Sequence, residues 1–421
     1  MKILVVGSGG REHAVVEALA NCSRVSGIYA APGNGGIRET AEVVDIRADD
    51  VAGLAVFAEK EGIDLTVVGP EVPLSLGLVD DFRSKDLPVI GPTASDARLE
   101  SSKGFTKRLC SENGIPTAAY TECATAREAY EVLDRVGYPA VVKADGLAAG
   151  KGVVVAATAE EARKAVHEMM ESRALGEAGD RLVIEDFMEG EEASFHVFAD
   201  GTDFQPMVPA QDHKPRFDGD EGPNTGGMGA YSLDSILTEA QTAEIVDRII
   251  RPTLRATGTY SGILYAGLML TSQGPKLVEY NVRLGDPETQ VMLPRLETDL
   301  LDVFLAMRDH RLGELELQWK PAATATVVLV ADSYPGKVQQ GKEISGLDEV
   351  RRVSDVKVFH AGTRWEDGRV YTAGGRILNV TAIGETLSEA LEKAYFVAEM
   401  IEFEGKDYRK DIGRKGLSKD Q

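Results

Sequence analysis

The sequence predicts a multidomain fold of the α/β and α+β classes, with a doubly wound parallel sheet at the N-terminus and a small β-rich domain at the C-terminus. The chain has 421 residues, more than a single hydrophobic core organises. Residues 1 to about 100 alternate apolar strands with helices, which is typical of a parallel sheet covered by helices on both faces. From about residue 321 the chain is rich in β-type segments, such as "ATATVVLVADSYPG".

The elements of the N-terminal sheet can be assigned in order. We predict strands in "KILVVG", "VSGIYAAPG", "DLTVVGPE" and "PVIGPT", and helices in "REHAVVEALANC", "ADDVAGLAVFAEKEG" and "LGLVDDFRSKD". These strands are apolar along their whole length, so both of their faces should be buried. Ligands of such sheets bind at the carboxyl ends of the strands, and several of these ends carry glycines.

The central part of the chain predicts mixed α and β structure. A helix in "KGFTKRLCSEN" is stopped by Gly114, since glycine tolerates the left-handed conformation that ends helices. Residues 124–190 form a compact unit in which two strands flank a glycine-rich loop, which predicts a hairpin with a long, flexible tip. Residues 193–308 add further strands and helices, and the helix "LSEALEKAYFVAEMIEF" follows the final strands.

Composition and charge exclude several classes of protein. The formal net charge is −22, which argues against nucleic-acid and anionic-membrane partners, because these require clustered Lys and Arg. No apolar run reaches the ~18 residues of a membrane span, and the first residues lack the features of a signal peptide. Cys22, Cys110 and Cys123 are far apart and form no CxxC pair. We therefore expect a cytoplasmic protein without disulfides.

The glycine-rich segment "KADGLAAGKGVVVA" resembles a phosphate-binding P-loop but does not match the pattern. A P-loop needs four residues between its two glycines, then Lys and then Ser or Thr. Here three residues separate Gly146 from Gly150, and Lys151 is followed by Gly152. The loop therefore belongs to another kind of nucleotide or phosphate site.

Two glycine turns in the N-terminal region are also candidates for phosphate binding. In "VVGSGGREHA" Gly7, Gly9 and Gly10 precede a helix, whose N-terminus favours anions. Glu12 stands where the dinucleotide fingerprint requires a third glycine, so NAD binding is disfavoured, and Arg11 suits a monophosphate. A turn that only packs the helix on its strand is the alternative. The turn "APGNGG" (31–36) could contact a phosphosugar or be a plain loop.

The segment "PKLVEYNVRLGDPETQ" predicts a metal site. In a strand, Glu279, Asn281 and Arg283 lie on one face, because side chains alternate. Carboxylate and amide oxygens suit Mg²⁺, and Arg283 could neutralise a phosphoryl group during its transfer. We interpret Asp286 as the N-cap of the following helix and Glu288 as a first-turn acid that favours the helix dipole, so both are mainly structural.

Taken together and in order, five segments resemble one family. They are "GSGGREHA", "KADGLAAGKGVVVA", "IEDFMEGEEASF", "QDHKPRFDGDEGPNTGGMGAYS" and "EYNVRLGDPETQ". Their combination is similar to the phosphoribosylamine–glycine ligases, also called glycinamide ribonucleotide synthetases, which are ATP-grasp enzymes of purine biosynthesis. The similarity extends over essentially the whole chain. It implies ligation of glycine to 5-phosphoribosylamine, giving glycinamide ribonucleotide, ADP and phosphate through a glycyl phosphate.

The resemblance also implies a domain organisation, with an ATP-grasp core of two α+β subdomains that hold ATP between them. We expect a Rossmann-like phosphosugar-binding domain at 1–102, a main ATP-grasp subdomain at 103–122 and 191–320, a lid at 123–190 and a C-terminal domain at 321–421. The loop 146–152 would close over the triphosphate as a flap. Small-molecule substrates are the expected partners, and the protein would be a monomer or a weak homodimer.

The family's functional residues can be placed on this sequence. For ATP, the resemblance implies Lys103, Lys143, Gly150, Lys151, Gly152, Glu185, Phe187 and Glu192, with Glu185 and the backbone near Phe187 at the adenine and Glu192 at the ribose. For Mg²⁺ or Mn²⁺ it implies Glu279 and Asn281, and for catalysis Lys143, Lys151 and Arg283. The amino-acid site would comprise Asp212, His213, Lys214, Asn224, Gly226 and Gly227. Phosphoribosylamine would face Gly9, Gly10, Arg11, Glu12, Asn34, Gly35 and Arg283.

The sequence departs from the family pattern at two points. Tyr280 stands between the metal ligands where the family usually has Phe, but it faces the other side of the strand. The preceding strand, "AGLMLTS", offers no further acidic ligand of the kind found in many ATP-grasp enzymes. Two alternatives stay open: an ATP-grasp carboxylase that binds bicarbonate, and a non-catalytic NAD-binding or regulatory protein.

Overall fold

A computed structural model describes residues 1–148 and 150–418 of the chain. The predicted flap contains Ala149, which lies outside the described residues. The N-terminal region forms a five-stranded sheet of order β3-β2-β1-β4-β5, in which every pairing is parallel. Its strands are β1 Lys2–Gly7, β2 Gly27–Pro32, β3 Glu42–Val43, β4 Leu65–Val68 and β5 Val89–Ile90. The helices are α1 Gly10–Ala20, α2 Val51–Glu61, α3 Glu71–Ser75, α4 Leu78–Ser84 and α5 Arg98–Ser101, with a 3₁₀ turn at Ile37–Glu39. The predicted doubly wound sheet is confirmed.

Helix α6 (Lys103–Asn113) leads from this sheet to a separate four-stranded antiparallel sheet of order β6-β9-β7-β8. The strands are β6 Tyr120–Cys123, β7 Ala140–Ala144, β8 Val153–Ala156 and β9 Leu182–Asp186, with helices α7 Ala126–Leu133 and α8 Ala159–Val166 on one side. A π-helical turn at His167–Glu171 extends α8, and a 3₁₀ turn follows at Gly176–Gly179. Gly114 ends α6 with φ +67°. The glycine-rich loop connects β7 to β8, so it is the tip of an antiparallel hairpin. The sheet begins at Tyr120, three residues before the start that we predicted for the lid.

The largest sheet has ten strands, with the path β17-β16-β10-β12-β15-β18-β23-β20; β11 pairs with β10 and β24 with β18. Its central part contains β10 Glu191–Asp200, β11 Phe204–Pro206, β12 Ala210–Asp212, β15 Gly229–Ser232, β16 Ser261–Thr271 and β17 Gly274–Asn281. A small hairpin of β13 Pro215–Phe217 and β14 Glu221–Asn224 lies beside it. The helices are α9 Glu239–Ile245, α10 Arg251–Thr257, α11 Glu288–Met292 and α12 Leu300–Arg308, and a π-helical stretch at Val246–Ile250 joins α9 to α10. Short 3₁₀ turns occur at Asp218–Asp220, Asp234–Ile236, Leu293–Arg295 and Leu312–Glu314.

Four strands of the C-terminal region belong to this ten-stranded sheet, and three others form a small sheet of their own. Strand β18 (Ala323–Ala331) pairs with β15, and β23 (Arg376–Gly384) and β20 (Val356–His360) follow on its other side. A three-stranded sheet is made of β19 Glu343–Ile344, β21 Thr363–Glu366 and β22 Arg369–Thr372. The remaining elements are α13 Leu347–Val350, α14 Leu387–Met400, β24 Lys406–Asp407 and α15 Arg414–Leu417.

The buried side chains reflect the same organisation. One apolar cluster contains Leu4 of the N-terminal sheet, Leu264 of β16, Ala325 of β18 and Leu387 of α14, so it runs through three regions of the chain. The four-stranded sheet has a cluster of its own between residues 123 and 184. In the part of the chain that the structure describes, no helix is long and apolar enough to cross a membrane.

Candidate active site

A cavity of about 710 Å³ lies where the N-terminal sheet, the four-stranded sheet, the ten-stranded sheet and the C-terminal region meet. It is lined by most of the predicted site residues: Arg11, Lys103, Lys143, Gly150, Lys151, Gly152, Glu185, Phe187, Glu192, Asp212, Lys214, Asn224, Gly226, Glu279, Asn281 and Arg283. Lys151 of the glycine loop and Asn281 of the predicted metal strand therefore share one cavity.

A buried carboxylate between two lysines forms one wall of this cavity. Glu185 of β9 lies with Oε1 2.9 Å from Lys143 Nζ and with Oε2 2.9 Å from Lys107 Nζ. Lys143 also donates to the carbonyl of Val278, at 3.2 Å. Burial lowers the pKa of Lys107, and the neighbouring Glu185 only partly offsets this effect. One carboxylate thus holds two ammonium groups at the cavity surface.

Glu185 lies between Lys107 and Lys143, and its predicted contact with adenine stays a prediction. Lys107 was missed. It lies one helical turn after Lys103 on α6, and a lysine on the buried side of a helix is the signal that could have revealed it. The exposed ring of Phe187 does line the cavity, as the predicted adenine site requires.

The base of the glycine loop is anchored to α6. Asp145 accepts a hydrogen bond from the backbone N–H of Gly104, at 2.7 Å from Oδ1, and one from the Ser102 hydroxyl. Lys103 Nζ donates to the carbonyl of Gly146, at 3.4 Å. Beyond this anchor, Gly150 has φ +78° and Lys151 is exposed at the cavity. Lys151 is therefore exposed in the same cavity that Lys103 and Lys143 line.

The predicted polar face of β17 points into the same cavity. Burial acts to raise the pKa of Glu279, but the positive charges of Lys214, Lys143 and Lys103 outweigh it, and the pKa is lowered. An ionised carboxylate and the amide oxygen of Asn281 on one strand face are ligands that suit Mg²⁺. Among the described residues there is no group of three or more His, Cys, Asp or Glu side chains arranged for a metal ion. Glu279 and Asn281 fit an ion that takes its other ligands from phosphate and water.

Arg283 is held more firmly than the sequence suggested. Its Nη2 lies 2.7 Å from Glu100 Oε1, and its Nε lies 3.3 Å from Glu71 Oε2. Nη2 also donates to Asn281 Oδ1, at 3.1 Å. These carboxylates overcome the effect of burial and raise the pKa of Arg283. Arg283 lines the cavity with its charge already paired, so it also orients Asn281.

Asp212 and Lys214 form a second charged group on the cavity floor. Lys214 Nζ lies 3.3 Å from Glu192 Oε2 and 3.8 Å from Asp212 Oδ1. Burial raises the pKa of Asp212 to about 7, against the opposing effect of Lys214 and with support from Glu288 and Glu192. Burial lowers the pKa of Lys214, but Asp212 and Glu192 outweigh it, and the pKa lies above its usual value.

His213 does not belong to this group, contrary to our prediction. It follows Asp212, and its side chain points to the opposite side, where Nε2 accepts a hydrogen bond from the backbone N–H of Gly413 at 3.2 Å. Burial and the nearby Arg409 lower its pKa to about 4, so it is neutral at pH 7. It contacts Tyr231 and not the cavity. Side-chain alternation predicts this separation, and we gave it too little weight.

The first glycine turn is closely packed. Glu12 Oε2 accepts a hydrogen bond from the backbone N–H of Gly9, at 2.6 Å, and its side chain fills the space that a Cβ on Gly7 would need. A Cβ on Gly10 would lie 2.2 Å from Nδ2 of Asn379. Arg11 of this turn lines the cavity, and the substrate contacts of Gly9, Gly10 and Glu12 stay predictions.

The second glycine turn is tied to its neighbours by hydrogen bonds. Asn34 donates to the carbonyls of Ser8 and His360, at 2.9 and 2.7 Å, and accepts from the N–H groups of Gly36 and Ile37. The backbone N–H of Gly35 donates to Thr363. The phosphosugar contact of Asn34 and Gly35 stays a prediction, with the plain loop as its alternative.

Two further details differ from the sequence interpretation. Gly227 faces away from the cavity, because its backbone packs against Pro287 with φ +113°. The N-cap of α11 is Pro287, without a capping side chain. Asp286 instead pairs with Arg376 at 3.3 Å, and both residues line the cavity. Glu288 is also a lining residue; it accepts from the Ser194 hydroxyl at 3.2 Å.

Comparisons with known proteins identify the family of this chain. Three family profiles match in order: the N domain of phosphoribosylglycinamide synthetase at residues 1–100, its ATP-grasp (A) domain at 101–289 and its C domain at 324–415. The chain belongs to the phosphoribosylglycinamide synthetase family. The predicted family is therefore confirmed, as are the ATP-grasp fold and the ligase class.

Individual relatives of this synthetase family cover the full chain. Phosphoribosylamine–glycine ligase of Vibrio parahaemolyticus is 47% identical, covering 100% of both chains. The enzyme of the same name from Ralstonia nicotianae is 48% identical over 99% of this chain and 100% of its own. The crystal structure of the Thermotoga maritima ligase superposes with a TM-score of 0.84 at 32% identity, over 98% of this chain and 100% of that one.

A more distant structure shares the architecture alone. The biotin carboxylase domain of Hydrogenobacter thermophilus 2-oxoglutarate carboxylase superposes with a TM-score of 0.74 at 15% identity, over 96% of this chain and 91% of that one. That structure contains MgADP and bicarbonate. At this identity the likeness concerns the fold only.

Proposed function

We propose that the cavity joins glycine to 5-phosphoribosylamine with consumption of ATP, giving glycinamide ribonucleotide, ADP and phosphate in purine biosynthesis. One observation carries the assignment: the glycine loop with Lys151, the buried lysines on Glu185, and the Glu279–Asn281 strand face enclose a single cavity. Family membership and full-length relatives that bear the ligase name support the same reaction.

The nucleotide site lies between the lid and the main subdomain. We place the triphosphate beside Lys103, Lys143 and Lys151, because these ammonium groups converge on the loop and strand ends. Phe187 covers the base, and Glu192 accepts from ribose hydroxyls. Gly150 and Gly152 let the loop approach the phosphates closely. Glu185 contributes by holding Lys107 and Lys143.

Glu279 and Asn281 would hold the divalent ion, which we propose to be Mg²⁺, with Mn²⁺ as the substitute. When bound, this ion neutralises phosphate charge and orients the triphosphate. Arg283 keeps the Asn281 oxygen turned toward the site through the hydrogen bond described above.

The two remaining substrates are assigned by charge. Asp212, with Glu288 close by, suits the ammonium group of glycine, and Lys214 suits its carboxylate. Asn224 and Gly226 bound this part of the cavity. Arg11 of α1, which pairs with Glu12, and Arg283, which pairs with Glu100 and Glu71, are the guanidinium groups of the cavity that we assign to the phosphorylated sugar. In this proposal residues 1–102 receive the phosphosugar, 123–190 are the lid, and 103–122 with 191–320 carry the main ATP site.

The chemistry follows from this placement. A carboxylate oxygen of glycine attacks the γ-phosphorus, ADP leaves, and glycyl phosphate forms. The amine of phosphoribosylamine then attacks the acyl carbon; the C–O bond to phosphate breaks, inorganic phosphate leaves, and the amine loses a proton. The lysines stabilise negative charge, and proximity of the reactants supplies ~7–11 kcal/mol of the barrier reduction. A closed lid keeps water from the acyl phosphate.

Phosphate release with ATP, glycine and freshly prepared phosphoribosylamine, each omitted in turn, tests the proposal. Lys143→Ala and Glu279→Ala should lose about 100-fold or more in turnover while the proteins stay folded. Lys164→Ala, an exposed lysine of the lid helix α8, is the control. Near-native ligation in both site variants would contradict the assignment. Bicarbonate in place of glycine tests the carboxylase alternative.

We further propose that the enzyme acts in the cytoplasm as a monomer or weak homodimer. The negative charge and the sparse cysteines support this proposal. Sedimentation velocity over a range of protein concentrations measures the state of association.

A further inference from the structure

Two residues of the C-terminal region reach into the cavity and hold one of its loops. Arg376, the first residue of β23, donates from Nη1 to the carbonyls of Gly226 and Asp286, the latter at 2.8 Å. Its Nη2 lies 3.3 Å from Asp286 Oδ2. The hydroxyl of Tyr334 accepts a hydrogen bond from the backbone N–H of Gly226, at 3.0 Å. The N–H and the carbonyl of Gly226 are therefore both hydrogen-bonded to side chains of the C-terminal region.

The glycines around these two side chains show that the fit is close. A Cβ on Gly226 would lie 3.1 Å from Cζ of Arg376, and a Cβ on Gly375 would lie 2.3 Å from the Tyr334 ring. Tyr334 is itself fixed, because its carbonyl accepts from Nε of the buried Arg216 at 2.8 Å. Arg376 and Tyr334 are thus closely packed against the residues around Gly226.

We call the segment held by these two side chains the cavity loop (residues 225–227). It contacts both the backbone of Lys214 and the tip of the lid hairpin. Thr225 donates from its N–H and its hydroxyl to the carbonyl of Lys214, at 2.9 and 2.8 Å. Gly150 at the tip of the lid hairpin lies against the cavity loop, since a Cβ on it would be 3.3 Å from the Thr225 carbonyl. The cavity loop is therefore where the lid tip meets the floor that carries Lys214.

We propose that Arg376 and Tyr334 are positioning residues of the ligase: they hold the cavity loop in the place where it seals the lid tip over the reactants. This inference rests on the proposed function. If water reaches the acyl phosphate before the amine does, the acyl phosphate is hydrolysed. Water then attacks the acyl carbon, the C–O bond to phosphate breaks, and glycine and phosphate are released. A loosened cavity loop would admit that water, so ATP would be consumed without amide formation.

The ratio of phosphate released to glycinamide ribonucleotide formed measures this sealing. We expect about one for the wild type. In Arg376→Ala the ratio should rise about tenfold, and in Arg376→Lys and Tyr334→Phe about two- to threefold, because a small displacement of a sealing group is enough to expose the intermediate. Phosphate release that needs glycine but not phosphoribosylamine should rise in parallel.

Matched controls come from the same region. Arg369→Ala removes an exposed guanidinium of β22 that pairs with Glu343, and Tyr371→Phe removes a hydroxyl outside the cavity; both should keep the wild-type ratio. Tyr334→Phe removes a single oxygen, so it decides the matter if Arg376→Ala does not fold. An unchanged ratio in folded Tyr334→Phe and Arg376→Lys overturns the inference, even if all rates fall. Absence of any glycine-dependent phosphate release in the wild type would instead overturn the proposed function, and the inference with it.

Discussion

At the scale of single residues, the cavity is governed by charges whose partners are buried with them. Glu185 lies within 2.9 Å of two ammonium groups, and its side chain and those of Lys107 and Lys143 are only 2–4% exposed. Burying charges is costly unless each one has a partner. The carboxylate therefore offsets part of the cost of burying the two lysines.

Replacing this carboxylate should destabilise the fold as well as the nucleotide site. Glu185→Gln leaves two buried ammonium groups without a counter-charge, and we expect the free energy of unfolding to fall by about 3 kcal/mol. Urea denaturation monitored by circular dichroism measures this change. Glu131→Gln, which breaks an exposed pair with Arg127 on α7, should change it by less than about 0.5 kcal/mol. Equal stability of Glu185→Gln and wild type would refute the role of Glu185.

The raised pKa of Asp212 predicts that the kcat/KM for glycine depends on pH. With its pKa raised to about 7, Asp212 is neutral below that pH and negative above it, so it attracts an ammonium group only on the alkaline side. The kcat/KM for glycine should fall about tenfold per pH unit below about 7. Asp212→Asn should have a low kcat/KM without this limb, whereas Glu221→Gln, exposed on the neighbouring hairpin, should keep the wild-type profile. A profile that is unchanged in Asp212→Asn would assign the titration to another group.

At the scale of elements, the lid hairpin and strand β17 supply different groups to the cavity. The hairpin brings backbone N–H groups and Lys151 from one side, and the rigid strand brings Glu279 and Asn281 from the other. The strand belongs to the ten-stranded sheet, whereas the hairpin belongs to a separate sheet with its own apolar cluster. A separate core is what allows one element to move against the other as a unit.

The conformation of Gly150 should therefore matter more than that of another lid glycine. Its φ of +78° is strained for any residue with a Cβ, and an added Cβ would lie 3.3 Å from the Thr225 carbonyl. We expect Gly150→Ala to raise the KM for ATP about tenfold, since loop backbone that contacts phosphate must keep its shape. Gly137→Ala is the matched control, because a Cβ there meets nothing within 4 Å. Steady-state kinetics compares the two, and equal KM values would argue against a role for the loop conformation.

At the scale of the whole molecule, the C-terminal region is part of the main body. Strand β18 pairs with β15 along Gly229–Ser232, and Ala325 and Leu387 belong to the same apolar cluster as Leu4 and Leu264. With Arg376 and Tyr334 it also supplies a wall of the cavity. Its removal would expose an open sheet edge at β15 and the apolar side chains of the shared cluster that it covers.

Two deletions should behave in opposite ways. A chain ending at residue 320 should aggregate or unfold without a cooperative transition, because β15 loses β18, one of its two neighbours, and the shared core is cut. Excision of residues 120–186 with a short Gly-Ser linker should leave a cooperatively folding protein, because that sheet carries its own core and its first and last strands are adjacent. Differential scanning calorimetry distinguishes the cases. A stable, cooperative 1–320 chain would contradict the shared core.

Much of this protein could be predicted from its sequence, because the relevant signals are local. Apolar strands alternating with helices identified the parallel sheet, two strands around glycines identified the hairpin, and the period of two along β17 placed Glu279 and Asn281 on one face. The order of the motifs identified the family. In each case a short segment contains both the pattern and its physical cause.

The tertiary structure alone decided which polar groups are free to meet a substrate. Asn34 has the residue type of a binding site, yet its amide donates to the carbonyl of His360, which is distant in the sequence. Lys107, Glu100 and Arg376 carry no motif, and they reach the cavity only because elements from different regions pack together. Pairing of buried charges and saturation of hydrogen bonds depend on neighbours that are remote along the chain, and sequence spacing does not encode those neighbours.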